Sequence, residues 1–251
     1  MGVSQRVYRH IVRMALLLLC ALSLRCGGIA VRAEEPLLPG EEAASGDPEP
    51  VAPEKTRRLR DSRWVFIGDS YFFRHREHGQ ERSIPEMISR RLHVKAYKNL
   101  SRGGCGFARR NYTYAGILRN RPVRRDVTDV FLYGGIYNDG ELGMDRVREG
   151  IRKTVKAVRR LYPNAVIWYT NCSWLCDSIE KGESYRRRVR WRYPRYVSVM
   201  KREGVRIIDQ VEDVLYNCGR AYYLSDCHHP SALGARRIAR VLAARIRELY
   251  S

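Results

Sequence analysis

Trp64-Val65-Phe66-Ile67-Gly68-Asp69-Ser70-Tyr71 decides how the rest of the chain is read. Four large apolar residues run directly into Gly68-Asp69-Ser70. A short continuous apolar run ended by glycine has the pattern of a strand buried on both faces. In a parallel α/β sheet the ligand sits at the carboxyl ends of the strands. Ser70 would then stand just past the first strand, at the mouth of the sheet. A serine there can act as a nucleophile if another group removes its proton. Asp and Ser in this place also cap helices, so partners elsewhere must decide between the two roles.

Working outward toward the N-terminus, the chain changes character twice. Arg6, Arg9, His10 and Arg13 form a basic start, Met14 to Leu24 is apolar apart from Ser23, and Val31-Arg32-Ala33 supplies a small-residue cleavage pattern. This is the layout of an export signal over residues 1–33. The apolar run is short for an ordinary membrane span, although an uncleaved anchor is an alternative. Residues 34–60 form a linker rich in Glu, Pro, Ala and Gly until the charge reverses at Arg57-Arg58-Leu59-Arg60. The folded domain is expected over 61–251, in a secreted or cell-envelope location.

Nine of the 47 Lys and Arg residues and seven of the 27 Asp and Glu residues precede Asp61, which leaves the domain a formal net charge of +18. A field of that sign attracts polyanions. No helix-turn-helix, zinc-finger or RNA-recognition pattern is present, so acidic envelope polymers fit better than nucleic acid. The densest basic run is Arg186, Arg187, Arg188, Arg190 and Arg192, interleaved with Trp191. It reads either as a docking surface or as the solvated face of a helix.

Toward the C-terminus, strands and helices alternate. Ser83-Ile84-Pro85-Glu86 opens a helix as a capping box, and Val94 to Leu100 reads as the second strand. Asn99 to Phe107 holds three glycines within four residues, and a helical segment follows within 109–120. Val127 to Tyr133 is the third strand, ending in Gly134-Gly135-Ile136-Tyr137-Asn138-Asp139. Met144, Val147, Ile151, Val155, Val158 and Leu161 form one apolar stripe of a long helix, stopped by Pro163. Ala165 to Tyr169 is the fourth strand. A helical region interrupted at Pro194 runs to Arg202, and Val205 to Ile208 is the fifth strand. A final helix after Pro230-Ser231 turns Ile238, Val241, Leu242, Ile246 and Leu249 inward. The alternation predicts an α/β fold: a three-layer α/β/α sandwich on a five-stranded parallel sheet.

That topology brings five strand ends to one edge. One of them leads into Ser225-Asp226-Cys227-His228-His229-Pro230, where a carboxylate and an imidazole three residues apart share a tight turn. Asp226 can orient His229, and His229 can take the proton of Ser70, the division of labour in a Ser-His-Asp triad. Asp226 could equally cap the last helix. Donors for a developing oxyanion would be the N–H groups of Ser70 and Gly104 and the amide of Asn138. The α/β-hydrolase elbow, Gly-x-Ser-x-Gly, is absent because position 72 is Phe. His75-x-x-His78 lacks a third metal ligand at suitable spacing. Without the leader, Cys105, Cys172, Cys176, Cys218 and Cys227 remain. Cys172–Cys176 and Cys218–Cys227 are the local pairings of an exported chain, and the second would tether the Asp226/His229 turn.

Gly68-Asp69-Ser70, the Gly104 turn, Asn138-Asp139 and Asp226-Cys227-His228-His229-Pro230, in that order, resemble the four blocks of the SGNH (GDSL-type) hydrolases, in particular exported bacterial members. The resemblance covers the domain from Trp64 to the last helix. It implies a flavodoxin-like fold without metal or cofactor, with Ser70 as nucleophile, His229 as base, Asp226 as its partner, and Ser70, Gly104 and Asn138 as the oxyanion hole. The third block departs from the family by one residue, since Ile136 and Tyr137 both separate Gly135 from Asn138. The implied activity is removal of acyl groups, O-acetyl foremost, from a glycan or other cell-surface substrate. Transfer of the acyl group to a sugar, or binding of anionic polymers without catalysis, are the alternatives.

Overall fold

The computed structural model describes residues 58–73, 79–109, 112–172, 182–216 and 218–251. The expected leader, nearly all of the linker, the His75/His78 pair and Cys176 lie outside the described residues. A 3-10 turn at Leu59–Asp61 precedes the first strand.

The strands are β1 (Arg63–Ile67), β2 (Ala96–Asn99), β3 (Asp129–Tyr133), β4 (Val166–Thr170) and β5 (Arg206–Ile207). Every pairing is parallel, and the order across the sheet is β2-β1-β3-β4-β5. β1 and β3 occupy the centre, which is why their sequences are nearly uninterrupted apolar runs: β3 is buried throughout and β1 from its second residue onward. The edge strands are shorter and more exposed. The chain order reverses between β1 and β3, and in such sheets the crevice for a ligand opens there, beyond the carboxyl ends.

Five α-helices cover the sheet: α1 (Ile84–Arg91), α2 (Tyr114–Ile117), α3 (Met144–Leu161), α4 (Gly182–Arg202) and α5 (Ala232–Tyr250). α1 packs on α5 in one layer, and α2, α3 and α4 pack in sequence in the other. Trp64 and Trp168 point to the α5 side, where their rings lie 6.0 and 6.5 Å from Tyr250. Phe66 and Phe131, register partners, stack at 5.0 Å. Ser83 caps α1 by accepting the Glu86 N–H at 3.3 Å, while the Glu86 side chain turns to Arg90 rather than back to the cap. Val147, Ile151, Val155, Val158 and Leu161 are fully buried along α3, each contributing about 1.5–3 kcal/mol as an upper estimate.

The helical segment expected within 109–120 is present as a single turn, α2. Two expectations need correction. α4 is not interrupted at Pro194 but runs through it. Tyr185, Val189, Tyr196, Val199 and Met200 are buried on both sides of the proline, so packing keeps the helix continuous against a local cost of about 3 kcal/mol. Leu249 is exposed, because in the last turn of α5 it is Tyr250 that takes the inward position against the two tryptophans. Among the described residues no helix is long and apolar enough to cross a membrane.

Candidate active site

Ser70 lies one turn beyond β1, buried at the carboxyl edge. The turn is set by Asp69, whose Oδ1 accepts the Tyr71 N–H at 3.0 Å and whose Oδ2 accepts the Gly135 N–H at 3.1 Å. Asp69 therefore ties the exit of β1 to the exit of β3. Its full burial pushes the carboxyl up to about 6 against the two backbone bonds that lower it. Gly134 has φ +73, and a Cβ there would fall on the Asp69 carboxylate. Both its backbone angle and the close carboxylate demand glycine.

The glycine turn after β2 is held from below and from the side. Leu100 N–H donates to Phe66 O at 2.8 Å and Arg102 N–H to Gly68 O at 3.0 Å, extending the pairing past the strands. Asn99 donates to Phe72 O at 2.7 Å, joining this turn to the segment after Ser70. Asp139 is the second staple. Its carboxylate accepts Phe107 N–H at 2.8 Å and Ala108 N–H at 3.1 Å, and Tyr196 O–H donates to it at 3.3 Å. Burial raises its pKa, and the backbone donors oppose that rise.

These bonds bring Gly104 and Asn138 together. Gly104 N–H meets no acceptor among the described residues. The Asn138 amide nitrogen donates to Cys105 O at 2.7 Å, which leaves it one further hydrogen. Asn138 Oδ1 accepts from Arg109 Nη1 at 3.0 Å, and the same guanidinium nitrogen lies 3.7 Å from where a Gly104 Cβ would stand. The extra residue of the third block is absorbed in the turn: Ile136 is buried, and Tyr137 faces outward and stacks on His228 at 4.0 Å.

The C-terminal turn folds around Asp226. Its Oδ1 accepts the N–H groups of His228 and His229, both at 2.9 Å, and its Oδ2 lies 2.5 Å from His229 Nδ1. Partial burial raises the Asp226 carboxyl, but the bonds from the His229 ring and the two backbone donors outweigh it and hold the group at about 2. An ionised Asp226 favours the tautomer of His229 with its proton on Nδ1, in which Nε2 would be the acceptor. The last helix has its own cap, Ser231, so Asp226 is not used for that. Tyr71 O–H donates to His228 O at 2.6 Å, and its ring lies 6.3 Å from His229. Gln80 donates to Pro230 O at 2.7 Å. The segment that begins with Ser70 and the turn that carries His229 are thereby packed on each other.

Two further expectations are corrected here. Cys218 and Cys227 are not bridged. Cys227 is buried in a left-handed conformation at φ +55, and Cys218 Sγ turns back to its own turn, 3.7 Å from Val214 O. Cys172 is likewise a thiol, 3.4 Å from Tyr133 Oη and pushed up to about 12 by burial. Arg192 does not belong to a basic surface: it is 7% exposed and donates to Asp139 O at 3.3 Å and Leu142 O at 2.6 Å. Tyr185, Val189, Arg192 and Tyr196 recur at helical spacing on the inward face of α4. Arg187, Arg188 and Arg190 stay outside, and Arg186 is half-buried.

Sequence reasoning missed Asp69, Asp139, Tyr71, Gln80 and Arg109. For the two aspartates a signal existed, since each sits beside a candidate residue in the Gly68-Asp69-Ser70 and Asn138-Asp139 blocks. For Arg109 there was none, since it sits among many arginines.

With this geometry in place, the chain belongs to the GDSL-like lipase/acylhydrolase family, whose model matches residues 66–237. It is accordingly a hydrolase of carboxylic esters. No curated protein matches the sequence. Among solved structures, it resembles a family two carbohydrate esterase from Clostridium thermocellum in complex with cellohexaose at 19% identity and TM-score 0.51, over 77% of this chain and 66% of that one. It also resembles an inferred SGNH hydrolase from Slackia heliotrinireducens at 18% and 0.51, over 74% and 98%. Phospholipase A1 from Streptomyces albidoflavus matches at 12% and 0.50, over 74% and 99%. At these identities the likeness is one of fold.

Proposed function

We propose that this chain is an exported serine esterase that removes acyl groups, O-acetyl foremost, from a glycan or other cell-surface substrate. The observation that carries the reading is the 2.5 Å contact between an ionised Asp226 and His229 on a turn packed against the segment of Ser70. Ser70 Oγ attacks the ester carbonyl while His229 Nε2 takes its proton. Charge developing on the carbonyl oxygen meets the N–H groups of Ser70 and Gly104 and the remaining amide hydrogen of Asn138. Collapse breaks the bond to the alcohol, which leaves with the proton from His229. Water then attacks the acyl-enzyme by the same route and releases the acid.

The preference for a cell-surface ester rests on the export pattern of residues 1–33 and on the basic domain. The anionic-polymer reading keeps the exposed arginines of α4 but loses Arg192. The test is turnover of p-nitrophenyl acetate by the purified full-length chain and by Ser70→Ala. Activity is expected to fall by roughly 10⁴-fold or more, toward background, and an active Ser70→Ala enzyme would overturn the assignment. Product analysis with an added glycan acceptor separates release to water from transfer to a sugar hydroxyl.

A further inference from the structure

The connection from β2 to β3 spans residues 100–128, yet its helix, α2, is a single turn. A longer helix would cover this half of the sheet. In its place lies a cavity of about 230 Å³. Register pairs Arg63 with Ala96 and Val65 with Lys98, which puts these four side chains on one face of β1 and β2. Val65 and Ala96 give the cavity an apolar floor. Arg121 and Arg124, from the loop leading into β3, stand at its wall. Arg63 opens β1, so the cavity lies toward the amino ends of the strands, whereas Ser70 follows the carboxyl end of β1.

The charge there is unbalanced. Asp126 takes both nitrogens of an Arg124 fork at 3.0 and 2.9 Å and lies 3.8 Å from Arg63. Arg121 lines the cavity and is held through Nε on Ile117 O at 2.7 Å, a bond that does not use its two terminal nitrogens. Lys98 stands across from it on β2. Among the described residues, one carboxylate, Asp126, thus answers four cations.

We propose that this cavity binds the carboxylate-bearing ring of an acidic sugar, one residue of a uronate polymer, as a docking site separate from the ester-cleaving edge. The volume is below the roughly 300–1,000 Å³ of clefts for drug-sized ligands, so it suits a single ring. The apolar floor accepts the C–H face of that ring, which a bare phosphate would leave uncovered. The guanidinium of Arg121 and the ammonium of Lys98 answer the carboxylate. The domain charge of +18 draws the polymer in.

The experiment titrates the full-length chain with trigalacturonate by calorimetry, beside a neutral trisaccharide and inorganic phosphate, and repeats the titration with Lys98→Ala and with Lys98→Ala/Arg121→Ala. Trigalacturonate is expected to bind saturably and the neutral sugar not to bind. Affinity is expected to fall about tenfold for each cation removed, the loss of one charge-assisted hydrogen bond. Turnover of p-nitrophenyl acetate should be unchanged. Arg121 also closes the end of α2, so Lys98→Ala alone decides the matter if the double variant loses its fold by circular dichroism. Absent binding, unaltered affinity in Lys98→Ala, or phosphate binding as tightly as trigalacturonate would each overturn the proposal. None of these readouts depends on the identity of the nucleophile.

Discussion

Asp226→Asn is the substitution on which the proposed chemistry turns. In the native turn one carboxylate oxygen takes two backbone N–H groups, from His228 and His229, and the other faces His229 Nδ1. An asparagine keeps the two backbone bonds only if its carbonyl oxygen occupies the Oδ1 position. Its amide nitrogen then faces Nδ1 and donates to it. Nδ1 becomes the acceptor, the ring proton moves to Nε2, and Nε2 can no longer accept the proton of Ser70. Reversing the amide would restore the tautomer but would set an NH₂ group against two N–H donors.

The loss therefore falls on catalysis rather than on the fold. Removing the correct tautomer in a known serine triad costs about 10⁴ in rate, or about 5.5 kcal/mol of activation free energy. Stability should change by less than ~1 kcal/mol, because both backbone bonds survive and the Asp226 side chain is 45% exposed. For a domain of this size that is a shift in Tm of roughly 2–4 °C at most. The assay is kcat/KM on p-nitrophenyl acetate together with thermal unfolding of the same preparation. Asp226→Asn activity within tenfold of the parent would refute the role of Asp226 as the group that orients His229. A large drop in Tm would mean that the turn, and not the tautomer, was lost.

Three other outcomes follow from the same geometry. The native Asp69 carboxyl holds its proton up to about pH 6, whereas the unfolded one ionises from 3.8. Its contribution to stability is therefore greatest below that lower value and declines as pH rises to about 6, by up to about 1.4 kcal/mol per pH unit; urea unfolding across this range should show a steeper decline in the parent than in Asp69→Asn, which does not titrate. Arg109→Ala leaves the Asn138 amide held, among the described residues, only by its bond to Cys105 O, and kcat should fall by up to about tenfold with KM little changed and partial recovery in Arg109→Lys; equal losses in both variants would argue against positioning through Oδ1. In Gly106→Ala the new methyl would lie 2.8 Å from Asp139 Cγ, so stability is expected to fall by roughly 1–3 kcal/mol, read as a lower urea midpoint.

The fold was legible because its decisive signals are local. Trp64 to Ile67 and Val130 to Tyr133 are apolar without a break, which central parallel strands require, and α3 carries its stripe at helical spacing. The limits of reading were equally physical. Pro194 marks an interruption in isolation, but burial on both sides of it overrides the local cost. Arg192 looks like its neighbours in the basic run, and the helical phase alone separates it from them. Cys218 and Cys227 are close in sequence, but the left-handed turn at Cys227 buries its side chain. Ser70, Gly104, Asn138, Asp226 and His229 stood out because short turns hold them. Their long-range fastenings, such as Tyr71 to His228 and Gln80 to Pro230, join residues some 150 positions apart and leave no trace in local pattern.

Asp69 and Asp139 show how the edge is made rigid. Backbone donors can stabilise a developing charge only if they need not move when it appears. In the proposed oxyanion hole the donors would come from loops after three different strands, and loops are mobile by default. A buried carboxylate solves this by accepting two N–H groups at once: Asp69 joins the loop after β1 to the one after β3, and Asp139 joins the glycine turn to the loop after β3 and to α4. Burial raises the pKa of both, so the device costs stability near neutral pH. It also dictates sequence, because each carboxylate fills the space a Cβ would take on the facing loop, at Gly134 for Asp69 and at Gly106 for Asp139. The Gly-Asp combinations that looked like simple turn chemistry are thus two halves of cross-loop clamps, and replacing either half should loosen the same donors.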